Sequence, residues 1–204
     1  MKFDYNRHNS LVKGAVSLRV IAGSAKRMVL IAPDGLNTRP TSDRAKESLF
    51  SILGEKVPGA HFLDMFCGSG AIGIEALSRG ATSAVFVDSS PQAIKAVNAN
   101  LAKTKLGQNA EALLLKADKS IQKLVAENRK FDIIFIDPPY GTNLMITALK
   151  NLIPNHLLAE NGVIIAETDA KDSPEIPPGF ILESTRVYGR AKFLFIYVDI
   201  GETS

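Results

Sequence analysis

The sequence has little that suits a membrane, an oxidising compartment or a metal. Its 204 residues hold one cysteine, Cys67, which cannot form an internal disulfide. No apolar run approaches the ~20 residues that a bilayer requires, because Asp64, Asp88, Asp118 and Asp137 punctuate the most hydrophobic stretches. The three histidines, His8, His61 and His156, are scattered without ligand spacing, so no metal is expected. The start, Met1-Lys2-Phe3-Asp4-Tyr5-Asn6, lacks the charged-then-apolar order of a secretory signal, which leads us to expect a cytoplasmic protein. What is present is globular composition, 46% hydrophobic and 22% charged, at a length that fits one core with a short appendage.

The modest net charge of +3 hides an asymmetry. Residues 1–60 carry ten Lys/Arg against five Asp/Glu, whereas residues 61–204 carry fourteen against sixteen. A basic excess confined to the first third points to a polyanion contact there, although a solvated basic face would look the same.

From residue 61 onward, short β-branched runs alternate with stretches of helical spacing, the pattern of a parallel sheet with crossover helices. The spacing predicts strands at 61–66, 83–88, 112–117, 131–137 and 162–168. Between them, Ser90-Pro91 is a cap followed by proline at the first helical position, with Ile94, Val97 and Leu101 repeating behind it. Ile121, Leu124 and Val125 mark a second helix. Ala148, Leu149, Leu152 and Ile153 mark a third, which Pro154 should end. The segments 180–188 and 192–199, separated by Gly189-Arg190-Ala191, read as an antiparallel hairpin at one edge, after a proline-rich surface loop from Lys171 to Gly179. Upstream, 18–22 and 28–32 suggest two short strands. A helix follows, with Ala45, Leu49 and Ile52 on its inner face and Arg44, Lys46 and Glu47 off it. We therefore divide the chain into a basic N-terminal β/α extension, 1–57, and an α/β domain, 58–204.

Chemistry concentrates in two places. Gly68, Gly70 and Gly73 fit G-x-G-x-x-G between a strand and a helix, where glycine permits a sharp turn and a close backbone approach to a ligand. Asp88 ends the next strand, where a carboxylate can accept both hydroxyls of a ribose. Asp64, just before the glycines, would repel a dinucleotide's pyrophosphate but welcome a sulfonium or ammonium, which favours S-adenosylmethionine. A carboxylate capping the loop's own amides would explain Asp64 equally well.

The second place is Asp137-Pro138-Pro139-Tyr140, at the end of an apolar strand. The prolines rigidify the turn and leave carbonyls without local amide partners, while Tyr140 offers a flat face. Such a turn suits a planar exocyclic amine, with its protons on the Asp137 carboxylate and the Pro138 carbonyl and its ring on Tyr140. A nucleobase amine is a poor nucleophile, and fixed acceptors stabilise the charge that develops on its nitrogen. A base reaching this recess should be unstacked and swung in.

These two motifs resemble those of the S-adenosylmethionine-dependent amino-group methyltransferases. Leu18-Arg19-Val20-Ile21-Ala22-Gly23, Thr38-Arg39-Pro40-Thr41-Ser42-Asp43-Arg44 and Glu75-Ala76-Leu77-Ser78-Arg79-Gly80-Ala81 extend the resemblance to the bacterial 16S rRNA guanine-N2 methyltransferase family, over approximately residues 18–198. The resemblance implies a Rossmann-like class I methyltransferase fold with a seven-stranded, mostly parallel sheet and an antiparallel last strand. It also implies methylation of one guanine N2 in 16S rRNA or an assembling small subunit. In that family's terms Asp118 lies near the adenine amino group, Asp88 on the ribose, and Phe66, Gly68, Ser69 and Gly70 along the methionine moiety. The Thr38–Arg44 segment would approach cofactor or RNA. The sequence departs from the family at Val87-Asp88-Ser89-Ser90, where relatives often have glutamate followed by a charged residue.

Lys26, Arg27, Arg39 and Arg44 are the expected phosphate contacts, and a monomer is expected. The four-residue turn does not separate guanine from adenine, so a DNA adenine-N6 methyltransferase is the nearest alternative enzyme; the absence of a visible DNA-recognition domain argues against it. A catalytically silent RNA-binding module is the alternative of another class, and a nicotinamide-dependent oxidoreductase a more distant one. Cys67 lies inside the glycine loop, where a small side chain is the simplest need, and is not expected to act as a nucleophile.

Overall fold

The computed structural model describes residues 18–33, 42–152 and 156–199. Its frame is a seven-stranded sheet of β1 (His61–Met65), β2 (Ser83–Asp88), β3 (Ala110–Leu114), β4 (Phe131–Ile136), β5 (Leu158–Asp169), β6 (Phe180–Tyr188) and β7 (Ala191–Val198). The spatial order is β3-β2-β1-β4-β5-β7-β6. β7 pairs antiparallel with both β5 and β6, and the other pairings are parallel. The chain leaves β1 first toward β2 and later returns to β4 on its other side, so the strand order reverses at β1. In open α/β sheets the carboxyl edge at that reversal is where ligands bind.

Helices α1 (Asp43–Leu53), α2 (Ala71–Ser78), α3 (Pro91–Thr104), α4 (Ala117–Ala126) and α5 (Leu144–Leu152) cover the sheet. Alternation along each strand divides the core in two. Phe62, Ala84, Phe86, Ile133, Phe135, Val163 and Ile165 pack with residues of α1, α2 and α3. Leu63, Met65, Val85, Ile134, Ile136 and Ile164 pack with α4 and α5. Because the central strands are buried on both faces, they read as continuous apolar runs.

Boundaries differ from expectation where packing outweighs pattern. β3 ends at Leu114 and α4 starts at Ala117, so Asp118 falls in a helix's first turn. β5 begins at Leu158, four residues early, because a register shift against β4 admits Glu160, Asn161 (φ 62°) and Gly162. A Cβ at Gly162 would come within 2.8 Å of the Leu158 side chain. Ser90 caps α3 as expected, its hydroxyl accepting from the Ala93 amide, with Pro91 at the first position. Ile153 and Pro154 lie outside the described residues.

The two expected N-terminal strands are linked by Val20–Met28 and Leu30–Leu18 backbone hydrogen bonds, but only the Arg19–Val29 bridge forms. The cause lies in α2. Glu75, fully buried, accepts the Ile21 and Ala22 amides at 2.7 and 2.9 Å, drawing them away from a strand partner. Ser78 donates to the Ala22 carbonyl and accepts from the Ala25 amide. Gly23 (φ 80°) packs so closely that a Cβ there would meet the Ser78 carbonyl oxygen at 1.7 Å.

α1 also corrects the expectation. Its buried residues are Ala45, Lys46, Leu49, Phe50 and Leu53, while Ile52 is exposed. Lys46, expected on the outer face, is 1% exposed and pairs with Glu75 at 3.7 Å while its ammonium donates to the Arg19 carbonyl. Glu75 also accepts from Arg79, whose guanidinium lies over the Phe50 ring at 4.9 Å. Burial lowers the Lys46 pKa, and Glu75 opposes the shift. Lys46 beside Glu75 and Phe50 beside Arg79 show that α1 and α2 run in the same direction, so α1 starts at the glycine-loop end.

Candidate active site

The glycine loop joins β1 to α2. The Cys67 amide donates to the Val87 carbonyl and the Gly70 amide to the Cys67 carbonyl, which ties the turn to β2. Gly68 and Gly70 have φ of 53° and 74°, and Phe66, with φ 60°, is a strained non-glycine residue at the strand's end. Gly73 serves close packing: a Cβ there would lie 2.4 Å from the Phe86 ring.

Asp64 is buried, and its Oδ2 accepts from the Gly73 amide at 2.9 Å. It therefore caps the loop's own helix, as one of the two readings of the sequence supposed. That hydrogen bond does not balance its burial. Desolvation, with a further contribution from Asp88, pushes the carboxyl from its ordinary 3.8 up to about 8. Burial, then Asp64 and Asp88, also push the Cys67 thiol up, which makes it a poor nucleophile.

The strand registers place Asp88, Phe66, Asp137 and Glu167 in one row across the carboxyl edge, since Val87 pairs with Met65, Met65 with Ile136 and Ile136 with Ala166. By alternation, Asp64, Asp88, Asp137 and Glu167 all lie on the sheet face that α1, α2 and α3 cover. Asp88 is held by two amides, Gly68 to Oδ2 and Ser90 to Oδ1, both at 2.9 Å. Asp137 is half-buried, and burial, Glu167 and Asp64 together raise its pKa well above the carboxylate range. Acid thus faces acid along this edge, which is electrostatically prepared for a cation.

Pro138 is buried, whereas Pro139 and Tyr140 are exposed, Tyr140 by 45%. The Tyr140 hydroxyl donates to Glu167 Oε1 at 3.1 Å, and burial and Glu167 push the phenol's pKa up. A cavity of about 660 Å³ opens here, between the Pro138–Asn143 turn, Glu167, Thr168 and the Asp172–Pro178 segment. The proline-rich loop expected only as surface is one of its walls.

The structure thus gathers Asp64, Phe66, Gly68, Ser69, Gly70, Gly73, Asp88 and the Asp137–Tyr140 turn at one edge. Asp118, exposed at the start of α4, follows β3 at the same edge. Arg44, exposed on the first turn of α1, lies toward the glycine-loop end. Lys26 and Arg27, also exposed, occupy a hairpin fixed to the far end of α2, roughly 12 Å away for an eight-residue helix. Arg39 lies outside the described residues, as does His8. His61 Nδ1 is 2.8 Å from the Ser83 hydroxyl, and among the described residues no group of three potential ligands could hold a metal. Sequence reasoning missed Glu167, hidden at the end of an apolar run, and Lys46.

The model of a family described as Conserved hypothetical protein 95 matches residues 18–197. This chain belongs to that family. Similar to this Conserved hypothetical protein 95 member is YlbH of Bacillus subtilis strain 168, named provisionally as an rRNA methyltransferase. The two are 37% identical over 173 residues, which is 84% of this chain and 94% of YlbH. Ribosomal RNA small subunit methyltransferase D of Escherichia coli strain K12 is 32% identical over 181 residues, 88% of this chain and 89% of that one. The solved structure of Escherichia coli yhhF, provisionally titled a methyltransferase, has a TM-score of 0.75 at 30% identity, covering 88% of this chain and 97% of that one. The Conserved hypothetical protein 95 fold seen here is the Rossmann-like one of class I methyltransferases. No described helix is long and apolar enough to cross a membrane.

Proposed function

We propose that this chain transfers a methyl group from S-adenosylmethionine to the exocyclic N2 of a guanine in 16S rRNA of the small ribosomal subunit, acting as a cytoplasmic monomer. One observation carries the cofactor assignment: Asp64 and Asp137 sit at the sheet's reversal point, both raised by burial and by neighbouring acids, Asp88 for Asp64 and Glu167 with Asp64 for Asp137. A pyrophosphate would aggravate that repulsion, whereas a sulfonium with an ammonium would relieve it. The relatives' names, rRNA methyltransferase and small subunit methyltransferase D, support the substrate class.

The residues present fit this cofactor. Gly68 and Gly70 would let it approach the backbone, Asp88 is held by two amides and keeps acceptor capacity for a ribose, and Asp118, in the first turn of α4 at the same edge, would take the adenine amine that the family resemblance assigns to it. Phe66 and Ser69 would flank the methionine portion, as the family resemblance implies. S-adenosylmethionine supplies an electrophilic methyl carbon on sulfur. The protein's part is to hold the guanine amine with Asp137 and the Pro138 carbonyl, stack the ring on Tyr140, and align nitrogen for in-line attack. As the N2–carbon bond formed and the sulfur–carbon bond broke, N2 would give up a proton; Asp137, ionised while the cofactor's positive charge lies beside it and returned to the neutral form its surroundings favour once that charge is lost, would accept it. Arg44 would contact a phosphate near the cofactor end and Lys26 and Arg27 the flanking strand; Arg39, outside the described residues, is proposed as a phosphate contact on its sequence alone.

Incubation with labelled cofactor and small subunits, bare rRNA or duplex DNA tests the assignment. Label should appear in N2-methylguanosine from rRNA; methyl transfer only to DNA adenine, or rRNA binding without turnover, would sink it.

A further inference from the structure

Nothing in the Asp-Pro-Pro-Tyr turn distinguishes guanine from adenine, because either base offers an exocyclic amine. The bases differ at the neighbouring ring nitrogen: guanine N1 carries a hydrogen, whereas adenine N1 presents a lone pair. A site that methylates guanine therefore gains from an acceptor beside the amine site, and the structure has one. Glu167 occupies the strand next to Asp137, in the same row and on the same face, with adjacent strands about 4.8 Å apart. It is 4% exposed, lines the 660 Å³ cavity, and its Oε1 accepts from the hydroxyl of the very tyrosine against which the base would stack. That hydrogen bond fixes the carboxylate relative to the stacking plane, and a carboxylate accepts more than one hydrogen bond.

Resting on the guanine-N2 reading above, we propose that Glu167 accepts the N1 hydrogen of the target guanine and so sets the enzyme's choice of guanine over adenine. Asp137 and the Pro138 carbonyl take the amine, and Glu167 takes the adjacent ring N–H. An adenine in the same place would set its N1 lone pair against a buried carboxylate, an unmet and repulsive contact.

The test uses rRNA in which the nucleotide methylated by the wild-type protein is replaced by 2-aminopurine, which keeps the 2-amino group but has a lone pair at N1. Wild-type protein should favour guanine by roughly 10²-fold in kcat/KM. In Glu167→Gln, whose amide can donate to that lone pair, the guanine rate should fall at least about tenfold while the 2-aminopurine rate holds or rises, so the ratio collapses. In Tyr140→Phe, which keeps the stacking ring and the carboxylate but removes the hydrogen bond that positions it, the guanine rate should fall more than the 2-aminopurine rate, so the ratio shrinks part of the way. Equal wild-type rates on the two bases would overturn the proposal without any variant, as would a Glu167→Gln protein that binds S-adenosylhomocysteine but loses both rates by the same factor. If the wild type leaves the unmodified guanine substrate untouched, the guanine-N2 reading itself has failed and takes this proposal with it, a result visible before any analogue is tried.

Discussion

Two acidic centres lie close together along α2, one at Glu75 on the helix itself and one at the sheet edge where Asp64 accepts the Gly73 amide, and they are built differently. At Glu75 the carboxylate is balanced by the chain itself: two backbone amides, the Arg79 guanidinium and the Lys46 ammonium surround it. At the carboxyl edge of the sheet, Asp64 and Asp137 have acids for neighbours and are pushed toward the neutral form. The first arrangement is complete without a ligand and fixes the N-terminal segment to the domain. The second is relieved by adding positive charge, which is why the same residue type reads as structural in one place and as a binding site in the other.

The largest effect expected from breaking this contrast is at the balanced centre. Glu75→Gln removes the charge shared by Lys46, Arg79 and two amides, and should cost about 3–5 kcal/mol of unfolding free energy in urea titration. A loss below about 1 kcal/mol would show that the centre is not a clamp. Next, Asp137→Asn should lower methyl transfer at least ~10²-fold, about 2.7 kcal/mol, while calorimetry still detects S-adenosylhomocysteine. Retained turnover would remove Asp137 from the chemistry.

Asp64 gives an effect whose sign with pH is defined. Its pKa is raised on folding from 3.8 to about 8, so the folded state binds the proton more tightly. Its contribution to stability is therefore greatest below about pH 4, is lost as pH rises toward 8, and is flat above that. The stability of the ligand-free wild type relative to Asp64→Asn should decline across that window, and a cationic cofactor should restore it. Because Asp64 is mostly protonated at pH 7, S-adenosylmethionine binding should release protons and tighten as pH rises through 8. Calorimetry in buffers of different ionisation enthalpy reads this directly, and absence of proton release would break the cation argument. The smallest effect belongs to Lys26→Ala with Arg27→Ala, which should weaken rRNA binding a few-fold and flatten its salt dependence without altering kcat.

How far the sequence carried this contrast follows from what patterns encode. Continuous apolar runs announced the buried strands, and Gly68, Gly70, Gly73 and Asp137–Tyr140 announced the edge, because both signals are local. Lys46 was misplaced because helical spacing sorts residues by polarity and has no knowledge of a glutamate on a helix 29 positions later. Ile52 was misplaced for the same reason, since the inner face of α1 turned toward Glu75 and Arg79. Glu167 sits at the end of Val163-Ile164-Ile165-Ala166, where nothing marks it as different from any strand-terminating acid until β4 and β5 are in register. Two motifs of the resemblance, Leu18–Gly23 and Glu75–Ala81, become intelligible only in three dimensions, where Ile21–Gly23 meets Glu75 and Ser78.

The shared direction of α1 and α2 has a practical consequence for a bound strand. One short helix acts as a ruler, with the hairpin graduated at one end and the methyl donor's turn at the other. If Lys26 or Arg27 holds a phosphate, as proposed, that phosphate would belong to a nucleotide some way along the RNA from the one being modified, so shifting the hairpin along α2 would change which neighbour is held and leave the reacting base where it is.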